Sequence, residues 1–235
     1  MEEAITTQEQ PTTKSTNSFA KFIYSLMVIF AVVFVFGIFF GRIVFFPIKV
    51  EGISMQPTLN AQAYSKNNCD TVYLSKAQNV SRGDIIVFNA APYTNTEDKE
   101  VLYIKRLIGL PGDTIYFKAS GLEKNGKIYY DIYVNGVKME ENYIKEPMWY
   151  DSDNPHISEK ETEFFLNYVL TSKKITLKSG EYFLMGDNRN NSTDSRFLGK
   201  NNKLGTINKK DFVGKVVLQI KSNQTIFEAL IQKIF

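Results

Sequence analysis

VLYIKRLIGLPGDTIYFK, residues 101 to 118, sets two apolar runs rich in β-branched and aromatic side chains on either side of the turn Pro111-Gly112-Asp113. Such runs favour pleated strands, and Pro-Gly punctuates them. The pattern recurs in IKVEGISM from Ile48, DTVYLSK from Asp70, GDIIVFNA from Gly83, IYYDIYVNGVKM from Ile128, GEYFLMGD from Gly180 and FVGKVVLQI from Phe212. Asn135-Gly136 signals a tight hairpin, and Arg82-Gly83-Asp84 a further turn. These runs predict a mainly β domain over residues 45–235, an antiparallel and partly closed sheet. Residues 147–179 are polar and mixed, and read as an insertion or extended loop between two strand-rich blocks. The closing TIFEALIQKIF is too short to span a bilayer and reads as a small amphipathic helix that docks.

Upstream the chain changes character. Residues 22–41, FIYSLMVIFAVVFVFGIFFG, carry no charge and lie between Lys21 and Arg42. Twenty residues suffice for a helix to cross a bilayer. Fourteen of them are Leu, Ile, Val or Phe, a sum of about −4 to −8 kcal/mol on the insertion scale. The run is longer than the core of a cleaved leader and no small-residue cleavage site follows it, so a permanent anchor is expected. Lys14 and Lys21 on one side balance Arg42 and Lys49 on the other, and charge leaves the orientation undecided. The tail, residues 1–21, has too little apolar content to fold and is expected to be disordered.

With 28 basic and 25 acidic side chains the net charge is +3, too small and dispersed for a nucleic-acid-binding face. Cys69 is the one cysteine and His156 the one histidine. An intramolecular disulfide and a multi-cysteine metal site are excluded, and a Ser-His-Asp triad could use only His156. No metal or cofactor is expected.

Three clusters carry chemistry that a fold alone does not require. In Gly52-Ile53-Ser54-Met55-Gln56-Pro57, a serine follows a glycine bend directly after the anchor. Taken alone it is also ordinary turn chemistry. In Tyr103-Ile104-Lys105-Arg106-Leu107, a lysine interrupts an apolar strand. Alternation puts Lys105 and Tyr103 on one face and Ile104 and Arg106 on the other, and an isolated lysine there could equally face solvent. The third, Gly186-Asp187-Asn188-Arg189-Asn190-Asn191-Ser192-Thr193-Asp194-Ser195-Arg196, is dense in hydrogen-bonding groups, as a long turn or a structured site would be.

Together, in this order, and with Arg82-Gly83-Asp84-Ile85-Ile86-Val87-Phe88 as a fourth segment, these motifs resemble the type I signal peptidase family over about residues 48 to 218. One spanning helix followed directly by the domain resembles its Gram-positive branch. The resemblance implies an antiparallel coiled half-barrel sheet with a smaller inserted β-region. It implies a serine endopeptidase that removes signal peptides from exported pre-proteins, with Ser54 as nucleophile, Lys105 as general base and an acyl-enzyme intermediate. Ser192 would orient the lysine, Asp194 and Arg196 would support it as an ion pair, and Asp187 and Asn188 would be structural neighbours. Val50, Met55, Leu59, Tyr103 and Ile104 match positions lining shallow apolar pockets for small residues at the first and third positions before the scissile bond.

A neutral lysine is rare, roughly one in a thousand near pH 7.4, so the site must disfavour the ammonium by about 4 kcal/mol, which burial can supply. Ser54's own N–H is the natural first oxyanion donor. The Gram-negative branch has a serine two residues earlier, where this chain has Gly52, so a second donor is unassigned. Because signal peptides emerge on the outer face, the resemblance also breaks the orientation tie: a single-pass plasma-membrane protein, tail cytoplasmic, catalytic domain extracytoplasmic. Its partners are signal peptides and the lipid bilayer, contact with the secretion machinery being left open. The rivals are a self-cleaving Ser-Lys repressor, which would be soluble and carry a helix-turn-helix, and a membrane-anchored β-rich scaffold.

Overall fold

Residues 16–60, 65, 68–76, 79–94, 96–199 and 203–234 are described by the computed structural model. Most of the tail expected to be disordered, residues 1–15, lies outside them. The chain divides after Val44 into two compact units. The first is helix α1, Thr16–Val44. It contains the 20-residue stretch Ser18–Gly37, of mean hydropathy 2.4 and with none of it buried, long and apolar enough to cross a membrane.

The second unit is built from strands β1 (Phe45–Lys49), β2 (Thr71–Ser75), β3 (Ile85–Asn89), β4 (Leu102–Gly109), β5 (Thr114–Lys124), β6 (Lys127–Val134), β7 (Val137–Lys138) and β8 (Met148–Tyr150). Helix α2 (Glu159–Phe164), strands β9 (Ile175–Thr176), β10 (Glu181–Met185), β11 (Ile207–Asn208) and β12 (Phe212–Ile220), and helix α3 (Ile226–Ile234) complete it. A seven-stranded antiparallel sheet runs β1-β2-β12-β3-β4-β10-β11. Register shifts between Phe183 and Leu184, Val216 and Leu218, and Phe212 and Gly214 are bulges. Bulges sharpen twist, and the sheet curls into an open half-barrel.

A smaller sheet, β7-β6-β5-β9 with β8 on β6, completes the mainly β architecture. Its turns obey local chemistry. Asn135 and Gly136 have φ of 53° and 85°, the left-handed pair that closes β6 on β7, and Asn125-Gly126 closes β5 on β6 in the same way. Residues 147–179 contribute β8, α2 and β9. Ser158 and Glu161 form a capping box at the start of α2, which sets Phe164 into the aromatic core. That core gathers Phe117, Tyr130, Phe164, Phe165 and Tyr168 of the smaller sheet's layer with Ile108, Phe183 and Met185 of the large sheet. Each fully buried side chain of this size stabilises the fold by about 1.5–3 kcal/mol. Gly109 marks the close approach of the two layers: a Cβ there would lie 2.7 Å from Leu177 Cδ1 and 3.0 Å from Phe183 Cβ.

Two apolar clusters lie on opposite faces of the large sheet. Tyr103 and Leu107 pack with Ile86 and Phe88, while Ile104 packs with Val50, Met55, Leu59, Val72 and Leu74. The alternation read from the sequence of β4 is realised. At the end of the sheet, α3 buries Ala229 and exposes Ile226, Phe227, Leu230 and Ile231.

Candidate active site

The segment 51–60 turns sharply after β1, and Asn60 holds its shape. Its side-chain amide donates to the carbonyls of Val50 (2.8 Å) and Gly52 (2.9 Å). Its backbone N–H and side-chain oxygen pair reciprocally with Asp70, at 2.8 and 2.7 Å. Gly52 sits at φ +84°, in the left-handed region, so the chain bends there at no steric cost. The bend presents Ser54, whose Oγ lies 2.7 Å from Lys105 Nζ.

Lys105 projects from β4, where it pairs in register with Ile86 of β3. It is 4 % exposed, and its Nζ lies 5.2 Å from the centre of the Tyr103 ring. Burial pushes the ammonium down from 10.5 to about 8, with Asp194 pulling it up, Arg196 down and Asp187 up. Desolvation decides the direction because the nearby charges oppose one another.

The loop after β10 clamps the serine segment. Asn188 donates its backbone N–H to the Ser54 carbonyl (3.0 Å) and its side-chain amide to the Ile53 carbonyl (3.1 Å). Gly186 is pressed against this contact: a Cβ would lie 2.5 Å from the Ser54 carbonyl oxygen and 2.6 Å from Ser192 Cβ. Asp194 accepts from Gly186 N–H (3.0 Å) and from the Arg196 guanidinium twice, both at 2.9 Å. Burial by itself would raise the Asp194 carboxyl, but Arg196 holds it below the usual carboxylate range. Ser192 lies beside this group, where its hydroxyl helps to hold the Asp194 carboxyl down, and among the described residues the expected bond from it to Lys105 is not formed.

Asp187 does more than stand beside the site. It accepts from Arg106 Nε (2.7 Å) and Nη2 (2.5 Å), and from the Thr58 hydroxyl (2.5 Å). Arg106, the neighbour of Lys105, also donates to the Gly83 carbonyl at 2.8 Å, and Arg82 pairs with Asp113 at 2.9 Å. The Arg-Gly-Asp and Pro-Gly-Asp turns are thereby tied to the strand that carries the lysine. Asp187 was expected beside the site, but nothing in the spacing signals its partners, because Arg106 and Thr58 read as surface polar residues until the fold joins them.

A groove of about 520 Å³ opens over Ser54 and Lys105. Val50, Tyr103 and Ile104 line it, as do Val87 and Leu102, which the sequence did not single out. Met55 and Leu59 are about 1 % exposed and lie in the apolar cluster with Val50 and Val87, so among the five residues expected to contact substrate these two sit in the core instead of on the groove surface. His156 is exposed in a turn after β8 and is not part of the groove.

A buried lysine meets a loop serine in a groove of the curled β-sheet, an arrangement that can activate a serine hydroxyl for attack. The family model for signal peptidase, peptidase S26, matches residues 20–220, and the chain belongs to the bacterial type I signal peptidase family, whose members are serine endopeptidases. The chain is 39 % identical to signal peptidase I P of Bacillus subtilis subsp. natto, over 72 % of this chain and 74 % of that one. It is 33 % identical to signal peptidase I T of Bacillus subtilis strain 168, over 91 % of both chains. A solved signal peptidase I from Enterococcus faecalis V583 is 25 % identical and covers 60 % of this chain and all of its own, with a TM-score of 0.36.

Proposed function

We propose that this signal peptidase is membrane-bound and works through a Ser54–Lys105 dyad. The observation that carries the reading is the 2.7 Å approach of Lys105 Nζ to Ser54 Oγ with the lysine buried. With its titration moved to about 8, roughly a fifth of Lys105 is neutral at pH 7.4, against about one in a thousand for an unperturbed lysine. In that form the serine hydroxyl donates to Nζ. Oγ attacks the scissile carbonyl as its proton passes to Lys105, which then protonates the leaving amine, and water cleaves the acyl-enzyme by the reverse path. The Ser54 backbone N–H is the first donor to the developing oxyanion. A side chain at position 52 would be strained at φ +84°, so we assign the second donor to main chain or water.

The substrate is the signal peptide of an exported pre-protein, cut after small residues. Two features support its binding as an added strand. β1 is an edge strand of the large sheet, and on β4 the pairing with β10 begins only at Arg106, leaving Leu102 to Lys105 without a strand on that side among the described residues. The apolar walls at Val50, Val87, Tyr103 and Ile104 suit small aliphatic side chains. α1 anchors the enzyme, and delivery of substrate on the outer face places the catalytic unit outside and the N-terminus in the cytoplasm.

Cleavage of a purified pre-protein by the wild type, Ser54→Ala and Lys105→Ala tests the dyad. Both variants are expected to lose activity by about 10³-fold or more, since groups acting as a unit fail together. Full activity in either would remove it from the mechanism.

A further inference from the structure

Between β7 and β8 runs a segment with no regular structure, residues 139–147, that belongs to the smaller sheet by chain order but spends its side chains on the catalytic loops. Glu141 pairs with Arg189 through two bonds of 2.8 and 2.5 Å. Tyr143 donates its hydroxyl to Glu141 (3.0 Å). The Tyr143 ring lies 4.2 Å from the Arg106 guanidinium carbon and 5.9 Å from that of Arg189. Lys145 donates its N–H to the Asp187 carbonyl (3.0 Å) and its ammonium to Gln56 (3.2 Å).

The two arginines that share Tyr143 hold different halves of the site. Arg106 is next to Lys105 and binds Asp187, which also holds Thr58 of the serine segment. Arg189 donates its Nε to the Gly186 carbonyl at 3.0 Å, and Gly186 is the residue pressed on the Ser54 carbonyl. A guanidinium on an aromatic face is held by charge and by contact, and more strongly when water is excluded. We infer that Tyr143 is a positioning residue that fixes Arg106 and Arg189 together, and through them the alignment of Ser54 with Lys105. The inference rests on the dyad reading above.

The charged groups that act on Lys105 are Asp194, Arg196 and Asp187, and its other neighbours are the Ser54 hydroxyl and the Tyr103 ring. Arg106 neutralises Asp187. Once the ring is removed and Arg106 loosens, the Asp187 charge is less compensated, stabilises the Lys105 ammonium and moves its titration upward.

The test is the pH dependence of kcat/KM for full-length Tyr143→Leu and Tyr143→Phe in detergent, normalised to the fraction of Ser54 that a serine-acylating reagent titrates. Tyr143→Leu is expected to lose about tenfold in kcat per titrated site with KM within about twofold, and to shift its rising limb to higher pH. Tyr143→Phe keeps the ring and is expected to stay within about twofold of the wild type. If Tyr143→Leu yields no titratable site, Tyr143→Met is read in the same way. A merely structural role would lower the titratable fraction and leave kcat per site and the limb unmoved, and that result, or equal losses in the Phe and Leu variants, would overturn the inference. A wild-type limb near pH 6 would instead strike at the dyad, so the two failures are told apart.

Discussion

In the loop after β10, Arg189 pairs with Glu141 and Arg196 with Asp194, each guanidinium nearly fully buried and each matched by a carboxylate at 2.5 or 2.9 Å. In the middle of β4, Lys105 is likewise buried, yet among the described residues no carboxylate lies within ion-pair distance of it, and its close polar partner is the Ser54 hydroxyl. Matched buried charges stay ionised across the physiological range and hold geometry. An unmatched one is pushed towards its neutral form and becomes reactive. In the proposed mechanism the two regions divide the work: the loop supplies rigidity, and the strand supplies a base.

Breaking the match should have the largest effect on stability. Asp194→Ala leaves the Arg196 guanidinium buried and unpaired, and is expected to destabilise the protein by about 3–5 kcal/mol in urea unfolding at pH 7. Removing both partners in favour of apolar side chains should cost less than the sum of the single changes, because neither charge is then stranded.

Relieving the mismatch should act in the opposite direction and more weakly. The unfolded chain keeps a proton on Lys105 up to about pH 10.5, whereas the folded chain keeps it only up to about 8. Stability therefore rises with pH across that window, and below it the folded state carries the full penalty. Lys105→Met is expected to be inactive yet more stable by roughly 3 kcal/mol at pH 7, with the gain fading towards pH 10.5. Unfolding curves at pH 7 and pH 10 check both parts.

The sequence made much of this division readable, and the reasons are local. Ser54, Lys105, Asp187, Asp194 and Arg196 stand out only when their motifs are taken jointly and in order, since each motif alone is also ordinary turn or strand chemistry, and the period of two along β4 placed Lys105 with Tyr103. The Asn135-Gly136 hairpin followed from backbone preference alone. What could not be read depends on contacts made far along the chain. Thr58, Arg106 and Asp187 meet only when three segments fold together, and Glu141 and Tyr143 look like solvated loop residues until Arg189 and Arg106 arrive. Met55 and Leu59 were expected at the groove by motif position, but the bend at Gly52 turns both into the cluster beneath it. Helix α1 runs from Thr16 to Val44, past both ends of the apolar run, because helix propensity does not stop where hydropathy does.

The most direct test of the central claim, that a buried and unmatched lysine is the base, is the pH profile of kcat/KM for wild-type cleavage of a pre-protein. Activity is expected to rise with pH through an apparent pKa near 8, as Lys105 gives up its proton. A limb governed by a group near pH 6 would contradict it.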